Sequence, residues 1–183
     1  MIDFFMKGGV LMWPILCCSI VALALIIAKG FQFQAILARL SPSTEAVLEQ
    51  KPVEVLPIMA GIERGLDEKQ VSFIGSKQIR EMEKGLGVLS LVSVIAPLLG
   101  FTGTVTGMIQ AFMVIATSGG SRVEPSMVAG GIYEALITTA GGLFVAIPIH
   151  IALHFLEDRL DEIATRMKEV AMTLFERRKD GRV

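Results

Sequence analysis

Three stretches of the chain carry no charge at all: Gly8–Ala28 (21 residues), Gly85–Ser121 (37 residues) and Ala135–Leu156 (22 residues). A hydrocarbon core of ~30 Å is crossed by about 20 helical residues, so each run predicts a membrane span. Between the first two, residues 29–84 mix apolar and charged positions and are cut by Pro42, Pro52 and Pro57. From Asp67 onward Val71, Ile74, Ile79, Met82, Leu86 and Leu89 recur every three to five residues. That spacing predicts an amphipathic helix running straight on into the second span. The second run is over-long, since at ~1.5 Å per residue it gives about 55 Å of helix. Its inner end therefore projects into the cytoplasm or the helix tilts, and Pro97 marks a kink. Ser118 to Pro125 reads as a tight outer turn, with Pro125 suited to a helix start. Beyond the third run, Leu156, Leu160, Ile163, Met167, Val170 and Leu174 are spaced 4-3-4-3-4, a heptad seam. Such a seam needs a partner helix, from the inner end of span 2 or from another copy of the chain.

The predicted class is an all-α integral membrane protein with three transmembrane helices and long cytoplasmic helical extensions. Residues 1–28 form an outside tail and span 1, with Trp13 and Pro14 near its outer end. Residues 29–84 form a cytoplasmic helical segment, 85–117 span 2, 118–125 the outer turn, 126–156 span 3 and 157–183 an amphipathic cytoplasmic tail. The composition agrees: 52% hydrophobic and 19% charged over 183 residues, with a mean hydropathy of +0.62. Net charge is only −1, but the distribution of basic residues orients the chain. One precedes span 1, eight lie between Lys29 and Lys84, one lies near 122 and seven follow residue 156. Basic flanks stay cytoplasmic, so the amino end is outside and the carboxyl end inside. Acidic residues match the basic ones in both cytoplasmic parts, which excludes a nucleic-acid-binding patch. The first apolar stretch is too long for a cleaved signal core, so span 1 is expected to be retained. Cys17 and Cys18 read as small packing residues rather than a metal site or disulfide. No phosphate loop, nucleophile–base set or dinucleotide fingerprint is present, so no enzyme activity and no cofactor are expected.

Candidate chemistry lies in the second and third spans. Residues 100–112 read GFTGTVTGMIQAF, three glycines and three threonines in an apolar run. On a helical wheel Thr104 shares a face with Pro97, Gly100, Met108 and Ala111, while Thr102 and Thr106 lie opposite. Gly100, Gly103 and Gly107 have the small-residue spacing that lets helices approach closely in lipid. Counting outward from the turn, Thr104 and Thr139 fall equally far from its centre, and so do Gln110 and Glu134 to within a residue. In an antiparallel pair these become two polar levels, the pattern of a lined path. Glu134 is the one acid within the spans, and a charge at mid-bilayer costs ~2.5–3.5 kcal/mol on insertion scales. It either lines an ion path, with Thr138 on its face, or is bonded by Gln110 or backbone groups and fixes packing. Thr139 is rotated from it by about 140°. His150 and His154 stand one turn apart with Asp158 a turn further, a spacing open to interfacial packing, a proton relay or a metal, but no second cluster completes a metal site.

Residues 96–109 (APLLGFTGTVTGMI), 131–143 (GIYEALITTAGGL) and Ala146-Ile-Pro148 resemble the MotA/TolQ/ExbB proton-channel family. The three-span order is similar to its ExbB/TolQ branch, whereas MotA-type stators have four spans. The resemblance implies a homopentameric ring in the bacterial inner membrane, its lumen lined by spans 2 and 3. It also implies a single-span ExbD/TolR-like partner carrying a membrane aspartate, and it accommodates a periplasm-spanning TonB/TolA-like protein. Carried over by position, Thr104 and Thr139 match two pore-facing threonines, Glu134 the glutamate near the outer end, and Pro97 and Pro148 the family's prolines. The implied function is a proton-channel subunit that couples ion-motive force to movement of a partner, with H⁺ as the transported ion. The competing reading is a membrane scaffold whose Gly/Thr motif only packs helices.

Overall fold

The computed structural model describes residues 8–40, 44–118 and 125–179. Most of the expected outer turn (residues 119–124), the amino tail before Gly8 and the last four residues lie outside the described set. Among the described residues the regular elements are all α-helices: α1 (Met12–Leu40), α2 (Thr44–Gln50), α3 (Leu56–Glu63), α4 (Glu68–Glu83), α5 (Leu86–Thr117) and α6 (Pro125–Lys179). Three of them, α1, α5 and α6, are long and apolar enough to cross a membrane. By contacts the chain divides into two units, one from the described amino end to Ile26 with Val88–Leu153, the other Ile27–Gly87 with the residues from His154 onward.

In the first unit the packed surface is built from small residues. On α5 the buried positions include Ala96, Gly100, Gly103, Gly107 and Ala111, and on α6 Ala135, Thr138, Gly141, Gly142 and Ala146. The backbones approach so closely that a Cβ on Gly103 would lie 2.6 Å from Thr138 Cγ2, one on Gly107 2.7 Å from Ala135 Cβ, and one on Gly142 2.5 Å from the Ala96 carbonyl oxygen. Carbon atoms rest at about 3.5–4.0 Å, so only glycine fits at these positions. Large residues point the other way: Phe101, Phe112, Leu136 and Phe144 are all exposed, the expected arrangement when lipid tails are as apolar as the side chains. Pro97 and Pro148 lie inside α5 and α6 without ending them.

In the second unit, burial follows amphipathic periodicity. Helix α1 runs well past Ala28, because Phe33, Ile36 and Leu40 continue an apolar stripe that is buried here. All six heptad positions, Leu156, Leu160, Ile163, Met167, Val170 and Leu174, are buried within the single chain. Met167 and Ala171 share one groove with Val71 and Ile79 of α4, and Arg159 and Arg166 share another with Leu37 of α1. The partner for the seam therefore includes the helix that precedes span 2.

The uninterrupted helix expected from Asp67 into span 2 does not occur. Helix α4 starts on a capping box, Asp67 Oδ1 accepting from the Gln70 N–H at 2.7 Å and Gln70 Oε1 from the Asp67 N–H at 3.1 Å. It stops at Glu83, after which Gly85 adopts φ +101°, a left-handed conformation that only glycine takes without strain. Lys29 Nζ donates to the Met82 carbonyl at 2.9 Å, a cation on the negative end of the helix dipole. Helix α3 ends in a Schellman motif, with the Gly65 N–H on the Ile62 carbonyl and the Leu66 N–H on Gly61. Arg178 donates to the Ile62 and Leu66 carbonyls there, at 3.3 Å each, and Arg177 pairs with Glu45 at 3.0 Å.

Candidate functional site

The candidate ion-path and packing residues all belong to the first unit, and the small-residue seam decides where they lie. The missing side chains at Gly100, Gly103 and Gly107 let α6 approach closely, so the polar atoms at its edge meet backbone carbonyls. Thr139 is half-buried, and its hydroxyl donates across the seam to the Gly100 carbonyl at 2.8 Å, with the Ala135 carbonyl of its own helix at 3.3 Å. Thr104 is also half-buried and donates within its own helix, to the Phe101 carbonyl at 2.6 Å. The two hydroxyls thus end on neighbouring carbonyls of α5, Gly100 for Thr139 and Phe101 for Thr104, about 1.5 Å apart along the helix axis.

Thr138, next to Thr139, is used differently. It is only 2% exposed, and its hydroxyl donates to the Gly8 carbonyl at 2.7 Å, sharing the proton with the Glu134 carbonyl at 2.8 Å. Glu134 itself lies on an exposed stretch of α6, with its carboxyl against Gly9 at the start of α1. Gln110 is exposed on α5. Thr102 and Thr106, on the far face, are exposed, and their hydroxyls return to carbonyls of their own helix, Leu98 and Thr102 respectively. Such back-bonding satisfies a hydroxyl in an apolar setting without a partner. The structure thus joins Thr139 to Gly100 and Thr138 to Gly8 and sets Glu134 against Gly9, while Thr104 bonds within its own helix.

In the second unit, His154 Nε2 stands 3.9 Å from Asp158, both side chains largely exposed. Among the described residues no three His, Cys, Asp or Glu side chains converge as a metal site.

Two features escaped the sequence analysis. One is the reciprocal stripe on α6, Gly131, Ala135 and Gly142, which faces the α5 glycines; its small-residue spacing was the available signal. The other is the Gly8-Gly9 pair, which only the fold brings to Glu134 and Thr138, more than a hundred residues away.

Chemically, each threonine spends its one proton on a carbonyl and keeps oxygen lone pairs able to accept. Neither α5 nor the part of α6 from Ala135 to Leu153 carries a charged side chain. Helix α5 and this part of α6 therefore bring no carboxylate to Thr104 and Thr139.

Comparison with known proteins agrees in one direction. The family model described as "MotA/TolQ/ExbB proton channel family" matches residues 45–169. Biopolymer transport protein exbB1 of Vibrio cholerae is 32% identical over 164 aligned residues, covering 76% of this chain and 72% of that protein. An ExbB-like biopolymer transport protein of Synechocystis is 31% identical over 169 residues, and the chain spans 66% of its length. The Tol-Pal system protein TolQ of Haemophilus influenzae is 42% identical over 88 residues, covering 48% of this chain and 38% of that protein.

Proposed function

The chain belongs to the MotA/TolQ/ExbB proton channel family, in its ExbB/TolQ branch, and from that premise we propose that it is a proton-channel subunit of an inner-membrane energy-transducing complex. The observation that carries this reading is the pair of half-buried threonines, Thr104 and Thr139, at the edge of a tight helix seam whose own spans hold no carboxylate at that depth. A hydroxyl whose proton is committed to a backbone carbonyl can accept from a protonated carboxylic acid but does not hold the ionised form strongly. Such a surface suits a partner aspartate that is loaded and released in turn. That partner is a single-span subunit of the ExbD/TolR type, around which several copies of this chain assemble, five in the arrangement the resemblance implies. Glu134 stands at the outer entrance, and the amino end lies outside and the carboxyl end in the cytoplasm. Each proton crossing releases ~2.3 kcal/mol per 100 mV, so moving a TonB/TolA-like protein draws on several crossings.

Replacing Thr104 and Thr139 with Val preserves shape and removes both hydroxyls. Proton flux and energised transport are expected to disappear while native mass spectrometry shows the assembly unchanged. Wild-type flux in that variant overturns the pathway and leaves the scaffold reading, in which only the glycines matter.

A further inference from the structure

We propose that Gly8 and Gly9 are positioning residues for the Glu134 carboxyl, seating it at the outer end of span 1 through a clasp closed by Thr138. The proposal rests on the reading of Glu134 as an ion-path group. Four observations converge on it. The Thr138 hydroxyl is buried and donates to the Gly8 carbonyl at 2.7 Å, so the chain entering α1 is tied to α6 at one defined residue. The next residue, Gly9, has φ +70°, a conformation that costs an L side chain and that glycine adopts freely. The space where a Cβ on Gly9 would stand is taken by Glu134 Oε1, with Cδ 2.9 Å and Cγ 3.4 Å from the same point. On the other side of the contact, Met12 fills the notch left by two missing side chains. A Cβ on Gly8 would lie 2.5 Å from Met12 Cγ, and one on Gly141 3.0 Å from Met12 Sδ.

These contacts form a closed circuit. Glu134 and Thr138 are one turn apart on α6 and so share a face. Thr138 fixes Gly8, Gly8 fixes the position of Gly9, and Gly9 leaves the volume into which Glu134 folds. Ile132, Tyr133 and Leu136 on either side of Glu134 are exposed. A long carboxylate side chain there would sample several rotamers, and the clasp holds it in one. Gly9 acts on the proposed path only through Glu134, and Thr138 acts only through Gly8, which separates it from its neighbour Thr139.

The test uses the full chain assembled with its partner subunits in liposomes, with Cys17 and Cys18 changed to Ala and spin labels at Val10 and Ile132. Two quantities are read: the distance distribution between the labels, and proton flux. Gly9→Ala is expected to broaden the distances and lower flux roughly tenfold or more, because displacing a positioned group by about 1 Å costs up to about a hundredfold. Thr138→Val is expected to broaden the distances, and Thr138→Ser, which keeps the hydroxyl, to leave them narrow. Glu134→Asp in the Gly9→Ala background withdraws the carboxyl by one methylene and is expected to regain flux, a rescue that general damage to the fold does not allow. Unchanged distances in both Gly9→Ala and Thr138→Val, with Glu134→Gln inactive, overturn the clasp and leave the ion path standing. Wild-type flux in Glu134→Gln together with broadened distances in Gly9→Ala overturns the path assignment of Glu134, and the positioning role falls with it.

Discussion

Substituting two glycines on neighbouring surfaces of the same unit separates close packing from helix propensity. Gly107 lies in the seam, where an added methyl would stand 2.7 Å from Ala135 Cβ and 2.8 Å from the Gly131 carbonyl oxygen. Gly130, on α6, has nothing within 4 Å of the corresponding position. Both substitutions to Ala remove a helix-weakening residue, which on propensity alone is a gain of ~1 kcal/mol. Only Gly107→Ala must also relieve a shortfall of roughly 1 Å against ordinary carbon contacts of about 3.5–4.0 Å. One obstructing atom is backbone and cannot rotate aside, so the helices have to part. Overpacking of this kind costs about 1–3 kcal/mol. The difference between the two variants isolates that cost, since the propensity gain is common to both. In a protein of this length 1 kcal/mol corresponds to about 2–4 °C in Tm. Thermal melting of the detergent-solubilised protein, followed by circular dichroism, is expected to place Gly107→Ala several degrees below Gly130→Ala. Equal melting temperatures would refute the close approach of α5 and α6 and the register built on it.

Two further outcomes concern the second unit. Ile163→Ala removes a side chain that is 0% exposed in the heptad seam and is expected to cost about 2–5 kcal/mol, measured by urea denaturation of the helices of that unit; a loss below that range would mean that the seam is not closed within one chain. Asp67→Ala deletes half of the capping box and is expected to cost about 1 kcal/mol, seen as faster hydrogen exchange in the first turn of α4 with the rest of the helix unaffected.

The sequence announced most clearly what depends on local periodicity. The 4-3-4-3-4 spacing from Leu156 to Leu174 gave the buried stripe of α6 residue by residue, because a charged solvent face alternates with it at every turn. The glycine stripe of α5 was legible for the same reason. Where α4 ends was not. Apolar spacing continues through Met82, Leu86 and Leu89, so the period alone cannot see the interruption. The contrary signal was Gly85 directly after Lys84, a basic last turn followed by glycine, the usual sign of a helix C-terminus. The choice between Thr138 and Thr139 was likewise beyond periodicity. Adjacent threonines have the same chemistry, and only the neighbours the fold supplies, Gly8 for one and Gly100 for the other, tell them apart.

The small-residue seam has a mechanical consequence. Glycine and alanine lose no rotamer freedom on packing, so this contact forms without the ordering cost that leucine or methionine would carry. Nor do such surfaces present long knobs that must climb out of deep holes before one helix can slide along the other. Resistance to axial displacement then comes chiefly from directional groups, and the Thr139 hydroxyl on the Gly100 carbonyl is one of them. A seam of this kind holds its partner helix at a fixed separation while leaving its position along the axis to a catch of single hydrogen-bond strength, the property of a bearing rather than of a weld.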